Sequence, residues 1–251
     1  MSKIIAVFNQ SGGVSKTTLT MNLGYHLAQS KQKVLLVDMD PQGSLTAFMG
    51  LEPSDLDKTV YEAIIGEEPL PIHQNIHGMD LVPANINLSG AELELVIADM
   101  RDIRLKEALE PVLTQYNFIL IDCPPSLGIL SYISLVAATH VLIPIQTEYK
   151  ALKGTELLLT TIARVRSRAN KKLKIAGVVP TMYDNRTGQG SQSLQSITNS
   201  LSKIGTIYSA IPRSVVFADA AQEHIPLALY NPKHPSVNIL KQIAQSLETL
   251  P

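Results

Sequence analysis

The sequence predicts a doubly wound α/β fold, a mostly parallel sheet with helices on both faces. Three observations carry that expectation. The runs Ile4–Phe8, Val34–Val37, Phe118–Ile121, His140–Ile145 and Ile175–Val179 are almost continuously apolar, as strands covered on both faces are. Between them, Lys16–Gln29, Arg101–Gln115 and Ala151–Arg168 have helix length and spacing, so the order reads as βα units joined by right-handed crossovers. With 251 residues at 45% hydrophobic content, the chain can bury one full-sized core, and residues 1–251 are expected to form one globular unit.

The remaining segments are read by their punctuation. Residues 50–78 and 184–190 carry the densest turn chemistry and are expected to be surface loops, and Ser236–Leu250 to be a final packing helix. The net charge of −1 gives no global attraction to nucleic acid or anionic lipid, so such a partner needs a local patch. The single cysteine, Cys123, cannot form an internal disulfide or a thiolate cluster and reads as a small buried residue. The chain opens directly on a strand-like run without a leader, and no apolar stretch reaches membrane-spanning length. A soluble, cytoplasmic protein is expected. The six histidines show no metal-ligand spacing.

In such sheets ligands gather beyond the carboxyl ends of the strands. The first of these segments reads Asn9-Gln-Ser-Gly-Gly-Val-Ser-Lys-Thr-Thr18, between a strand and a helix beginning near Lys16. Gly12, Gly13, Val14, Ser15 and Thr18 would bring backbone amides to phosphate oxygens, with the positive end of the helix behind them. Lys16 would neutralise β/γ-phosphate charge and Thr17 would offer its hydroxyl to Mg²⁺. The strict phosphate-loop pattern fails, because Gln10 and Ser15 stand where it wants glycine. Taken alone, the segment could be a glycine turn capping a helix. Two further segments argue against that: Asp38-Met-Asp-Pro-Gln-Gly43 and Asp122-Cys-Pro-Pro-Ser126 each put a carboxylate at a strand end.

Together with Glu148–Gly154, Thr181-Met-Tyr-Asp184 and Ile211-Pro-Arg213, these motifs resemble the ParA/MinD family of ATPases over nearly the whole chain. The resemblance implies ATP and Mg²⁺ as ligands. It makes Asp38 the residue that positions or activates the attacking water, and Asp122 a holder of Mg²⁺ through water. It places Gln42 among the nucleotide-binding residues, sets Met182 and Pro212 on either side of the adenine, and leaves Asp40 to support the switch segment. It also implies a homodimer closed around ATP and a cargo adaptor protein.

The family's distinguishing lysine should occupy position 11, where this chain has Ser11. A serine hydroxyl cannot neutralise charge building on the phosphates, so another cation must substitute or hydrolysis must be slow. The candidate is Lys150, at a helix start where the macrodipole disfavours a cation, with Lys153 one turn further on and a merely solvated lysine as the alternative. Loss of this lysine with the rest kept is similar to the carboxysome-positioning branch of the family, which implies that cargo.

Arg164, Arg166, Arg168, Lys171, Lys172 and Lys174 crowd a segment without an acid. If the helix runs that far, Arg164, Arg168, Lys171 and Lys172 share one face suited to sequence-independent contacts with double-stranded DNA, and Arg213 could extend it. Compensation of a helix dipole is the alternative. The C-terminal stripe carries one lysine and reads as a packing face, so a MinD-like membrane role is the weaker expectation. A metabolic ligase on the same fold is the third class; the nitrogenase iron protein would need two cluster cysteines per subunit. The expected protein is a nucleoid-associated ATPase that distributes a cargo, with no membrane partner.

Overall fold

The structure, a computed structural model, describes residues 2–148 and 151–251, with the backbone alone at 151–153. Strand β1 (Lys3–Val7) leads into helix α1 (Lys16–Gln29), then β2 (Val34–Asp38) and the short α2 (Ser44–Phe48). Residues 50–78, expected as loop, contain α3 (Val60–Ile65) and β3 (His73–Ile76). A capping box starts α3: the Thr59 hydroxyl accepts from Tyr61 N at 3.2 Å, and the Glu62 carboxylate accepts from Thr59 N at 2.6 Å. There follow β4 (Met79–Val82), α4 (Leu88–Ile97) and α5 (Arg104–Leu109). The helix expected over Arg101–Gln115 is broken into 3-10 turns on either side of α5, the second of them carrying Pro111, which has no amide to continue a helix.

The chain continues through β5 (Phe118–Asp122), α6 (Ile129–Ala137), β6 (His140–Gln146), α7 (Ala151–Arg168) and β7 (Lys174–Thr181). It ends with α8 (Gly188–Leu201), α9 (Val216–Gln222), α10 (Leu227–Tyr230) and α11 (Pro235–Glu248). The seven strands lie in the order β3-β4-β2-β5-β1-β6-β7, all parallel except the β3–β4 pair. Alternate strand residues feed two separate cores. Ile4, Ala6 and Phe8 join Leu95, Leu130 and Val165 on one face, while Ile5 and Val7 join Leu23, Leu240 and Leu247 on the other. Each fully buried leucine or isoleucine contributes roughly 1.5–3 kcal/mol. The apolar stripe of α11 is thus spent on α1 and the sheet.

Register brings the chemistry together. Asp122 pairs with Val7 on one side and with Asp38 on the other, so two carboxylates and the segment after β1 share one end of the sheet. The chain leaves β1 through α1 on one face towards β2 and leaves β5 through α6 on the other face towards β6, so the winding reverses between these two neighbours, the kind of crevice in which doubly wound sheets hold ligands.

Candidate phosphate-binding site

The segment between β1 and α1 is a built loop. Asn9 anchors it by donating from Nδ2 to Pro144 O at 2.6 Å and accepting from Ser11 N at 2.9 Å. Gln146 Nε2 donates to Gly13 O at 2.8 Å, and Thr181 Oγ1 to Val14 O at 3.2 Å, so the ends of β6 and β7 support its outer half. Gly13 and Ser15 both have left-handed backbones, φ 71° and 70°. Only the first is a residue for which that conformation is free of strain. Ser11, Gly12 and Gly13 are exposed, whereas Lys16 is buried and its Nζ donates to Ser11 O at 2.9 Å. Burial holds the Lys16 ammonium below its usual range, against the opposing pull of Asp122.

The carboxylates beside it are held differently. Asp38 is fully buried with both oxygens engaged: Oδ1 accepts from Asp40 N at 3.0 Å, and Oδ2 from Thr46 N at 2.9 Å and Thr46 Oγ1 at 2.8 Å. Burial pushes its carboxyl up to about 6 despite those donors. Asp122 is also buried, and its Oδ1 accepts from the Thr20 hydroxyl at 3.5 Å, while Oδ2 has no hydrogen-bond partner among the described residues. Burial, then the charge of Asp38, raises Asp122 well above the carboxylate range; the Thr17 hydroxyl and Lys16 oppose them. A buried carboxylate oxygen without a donor is costly on its own, and its place beside Thr17 suits a cation held through water. Asp40 caps the following turn, accepting from Gln42 N at 3.0 Å, and leaves the Gln42 side chain exposed.

Thr46 is the site residue that sequence reasoning missed. Its hydroxyl donates to Asp38 and accepts from Ala84 N at 2.9 Å, tying β2, α2 and the end of β4 into one chain of hydrogen bonds. Met182 and Pro212 line one cleft with Ser15, Thr18, Ser214 and Phe217. The isolated Tyr183–Pro212 bridge holds its two walls together.

The basic residues divide. Helix α7 stops at Arg168, because Asn170 turns inward and donates from Nδ2 to Leu135 O, Val136 O and Ala138 O at 3.0, 3.1 and 2.6 Å. Arg164 and Arg168 share an exposed helix face as expected. Lys171 and Lys172 do not, since they lie on the turn beyond it. Arg213 sits at the other end of the sheet, its amide bonded to Tyr183 O beside the cleft. The eight residues of β7 put about 25 Å between the two places, so Arg213 does not extend the patch. Lys150 lies outside the described residues, as does the side chain of Lys153. No helix among the described residues is long and apolar enough to cross a membrane, and no group of three or more His, Cys, Asp or Glu stands ready for a metal ion there.

A family model described as an AAA domain matches residues 2–175. The sporulation initiation inhibitor protein Soj of Bacillus subtilis is 41% identical over 250 residues, covering 98% of both chains. The chromosome partitioning protein ParA of Myxococcus xanthus is 40% identical over 239 residues, 93% of this chain and 83% of that one. Among solved structures, an ATP complex of McdA from Cyanothece matches with a TM-score of 0.88 at 25% identity, covering 98% and 96%. A cobyrinic acid a,c-diamide synthase from Mycobacterium smegmatis, with bound ATP analogue and magnesium, matches with a TM-score of 0.82 at 38% identity, covering 89% and 92%.

Proposed function

The chain belongs to the ParA/MinD family of P-loop ATPases, the family of its AAA-domain match, and from that premise we propose that it binds ATP with Mg²⁺ and hydrolyses it to control a homodimer. The observation that carries the reading is the unpartnered, buried Asp122 Oδ2, set beside Thr17 and Lys16 at the end of β5. Bound Mg²⁺ would supply positive charge on the phosphates. Lys16 would leave Ser11 O for a phosphate oxygen, while the amides from Gly12 to Thr18 cradle the others. Asp38 would act on the attacking water once α2 shifts and frees one of its oxygens from Thr46. Ser11 brings no charge to an opposing protomer, and Lys150 is the cation proposed in its place.

The dimer is read as a DNA-tethered positioning device. Arg164, Arg168, Lys171 and Lys172 would bind double-stranded DNA without base readout, doubled by dimerisation, and an adaptor would trigger release by stimulating hydrolysis. Relatives at 40–41% identity named for partitioning and sporulation favour a chromosome-partitioning cargo. A carboxysome cargo is the second reading, favoured by Ser11 in place of the loop lysine and by the likeness to McdA.

The test is binding to non-specific duplex DNA with ATP, ADP or no nucleotide across a salt series, with product analysis alongside. Wild type should bind with ATP alone and release ADP and phosphate. Alanine at Arg164, Arg168, Lys171 and Lys172 should weaken binding and flatten the log–log salt slope by about 0.9 for each DNA phosphate that is no longer neutralised. Absence of DNA binding in every nucleotide state would defeat the tethering. A product other than ADP and phosphate would move the reading to a metabolic ligase, and the similar Mycobacterium smegmatis structure is named for a synthase.

A further inference from the structure

Ser214 stands on the wall of the cleft between the phosphate loop and the Met182–Pro212 pair. Its hydroxyl oxygen lies 3.4 Å from Val216 N, which donates to it, and 3.2 Å from Nε2 of His234. The other side of the imidazole decides which atom gives the proton in that second contact. His234 caps the start of α11, and its Nδ1 accepts from Ser236 N at 3.2 Å. A ring nitrogen that accepts carries no hydrogen, so the proton of the neutral ring sits on Nε2 and is donated to Ser214. Phe217 packs edge-on against this ring, with centroids 6.0 Å apart, and keeps it in place. Both acceptor positions of the Ser214 oxygen are then filled from behind. The one thing it has left is its own hydrogen.

We propose that Ser214 is a specificity-determining residue, whose O–H is oriented by His234 to donate to an unprotonated ring nitrogen of the purine base. The inference rests on the nucleotide reading of the cleft and adds the chemistry by which the base is chosen. A base edge presenting N–H to this wall meets a donor and is disfavoured, because two donors facing each other leave both unpaired. The resemblance to the family supplies the two apolar flanks of the base, Met182 and Pro212. The Ser214–His234 pair supplies a directional polar contact between them.

The experiment compares binding of ATP with its 1-deaza, 3-deaza and 7-deaza analogues, each lacking one ring acceptor, to wild type, Ser214→Ala, Ser214→Thr and His234→Phe. One analogue should bind wild type roughly five- to tenfold more weakly than ATP, the value of a single hydrogen bond. Ser214→Ala should bind ATP more weakly by a similar factor and no longer tell ATP from that analogue. Ser214→Thr should restore the discrimination, and His234→Phe should blunt it by freeing the hydroxyl to turn away. Equal binding of all three analogues and ATP to wild type overturns the proposal, as does undiminished discrimination in Ser214→Ala. Should that variant fail to fold, Ser214→Gly takes its place. Failure of the nucleotide reading looks different: wild type would bind no ATP, or Lys16→Ala would bind it as well as wild type.

Discussion

Ser15 begins α1 with φ 70°, yet its side chain makes no capping hydrogen bond. The left-handed conformation costs a non-glycine residue roughly 1–2 kcal/mol. Glycine would add roughly 0.4–1 kcal/mol of unfolded-state entropy, so relief of strain wins. Ser15→Gly should therefore stabilise the protein by about 0.5–1 kcal/mol, raising the melting temperature by roughly 1–4 °C. An unchanged or lower melting temperature would mean that the serine hydroxyl, which lines the cleft, has a stabilising contact there. At this scale the sequence was most legible where backbone topology dictates the chemistry. Lys16, Asp38 and Asp122 could be placed because the two aspartates close strands β2 and β5 and Lys16 opens the helix after β1, all at one end of the sheet. Thr46 could not, since eight residues separate it from Asp38 and only the fold of α2 returns its hydroxyl to the carboxylate. Ser214 and His234 were equally hidden, their pairing resting on where α11 begins relative to the cleft.

Among the elements, the parallel strands were readable because burial on both faces demands unbroken apolar runs. β3 (His73–Ile76) was not: it is an edge strand whose middle residues, Gln74 and Asn75, are exposed, so no run exists to see. The start of helix α8 was hidden, for Gly188 and Gly190 fall in the segment 184–190 that reads as loop. It forms because the Thr187 hydroxyl accepts from Gly190 N at 3.1 Å and because Ile197 and Leu201 are buried. Helix α7 ends at Arg168, the bound its sequence suggests, and it goes no further for a tertiary reason: Asn170 is drawn to the last carbonyls of α6. The junction of β2, α2 and β4 is the element-level contact most open to test. Replacing Thr46 by valine keeps its shape but leaves Ala84 N and one bond to Asp38 Oδ2 unmade among fully buried groups. Thr46→Val should cost about 2 kcal/mol in urea unfolding, and Thr46→Ser should recover most of it. A serine variant as unstable as the valine one would show that methyl packing, rather than the hydroxyl, joins these elements.

Across the whole molecule, buried ionisable groups pull the pH dependence of stability in opposite directions. His26, on the face of α1 that meets α11, is 7% exposed, and its Nε2 has no hydrogen-bond partner among the described residues. Burial first, then the charge of Lys241, lowers its pKa to about 4. In the folded state it stays neutral while the unfolded chain takes up a proton from about pH 6.5 downward. Its contribution is therefore complete above pH 6.5 and is lost as pH falls towards 4. Asp38 has the opposite sign: raised to about 6, it contributes below the ordinary carboxylate range and loses that contribution as pH rises through 6. The wild-type profile alone cannot separate the two, because they oppose each other between pH 4 and 6. A difference between proteins can. His26→Leu removes one titration from a site far along α1 from the carboxylates and replaces an unsatisfied imidazole with an apolar side chain. The stability of the variant relative to wild type should improve on going from pH 7.5 to pH 5, as measured by urea unfolding at both values. A constant offset between the two proteins would mean that His26 takes up its proton as readily in the folded state as in the unfolded one, with the α1–α11 contact opening enough to let water reach it.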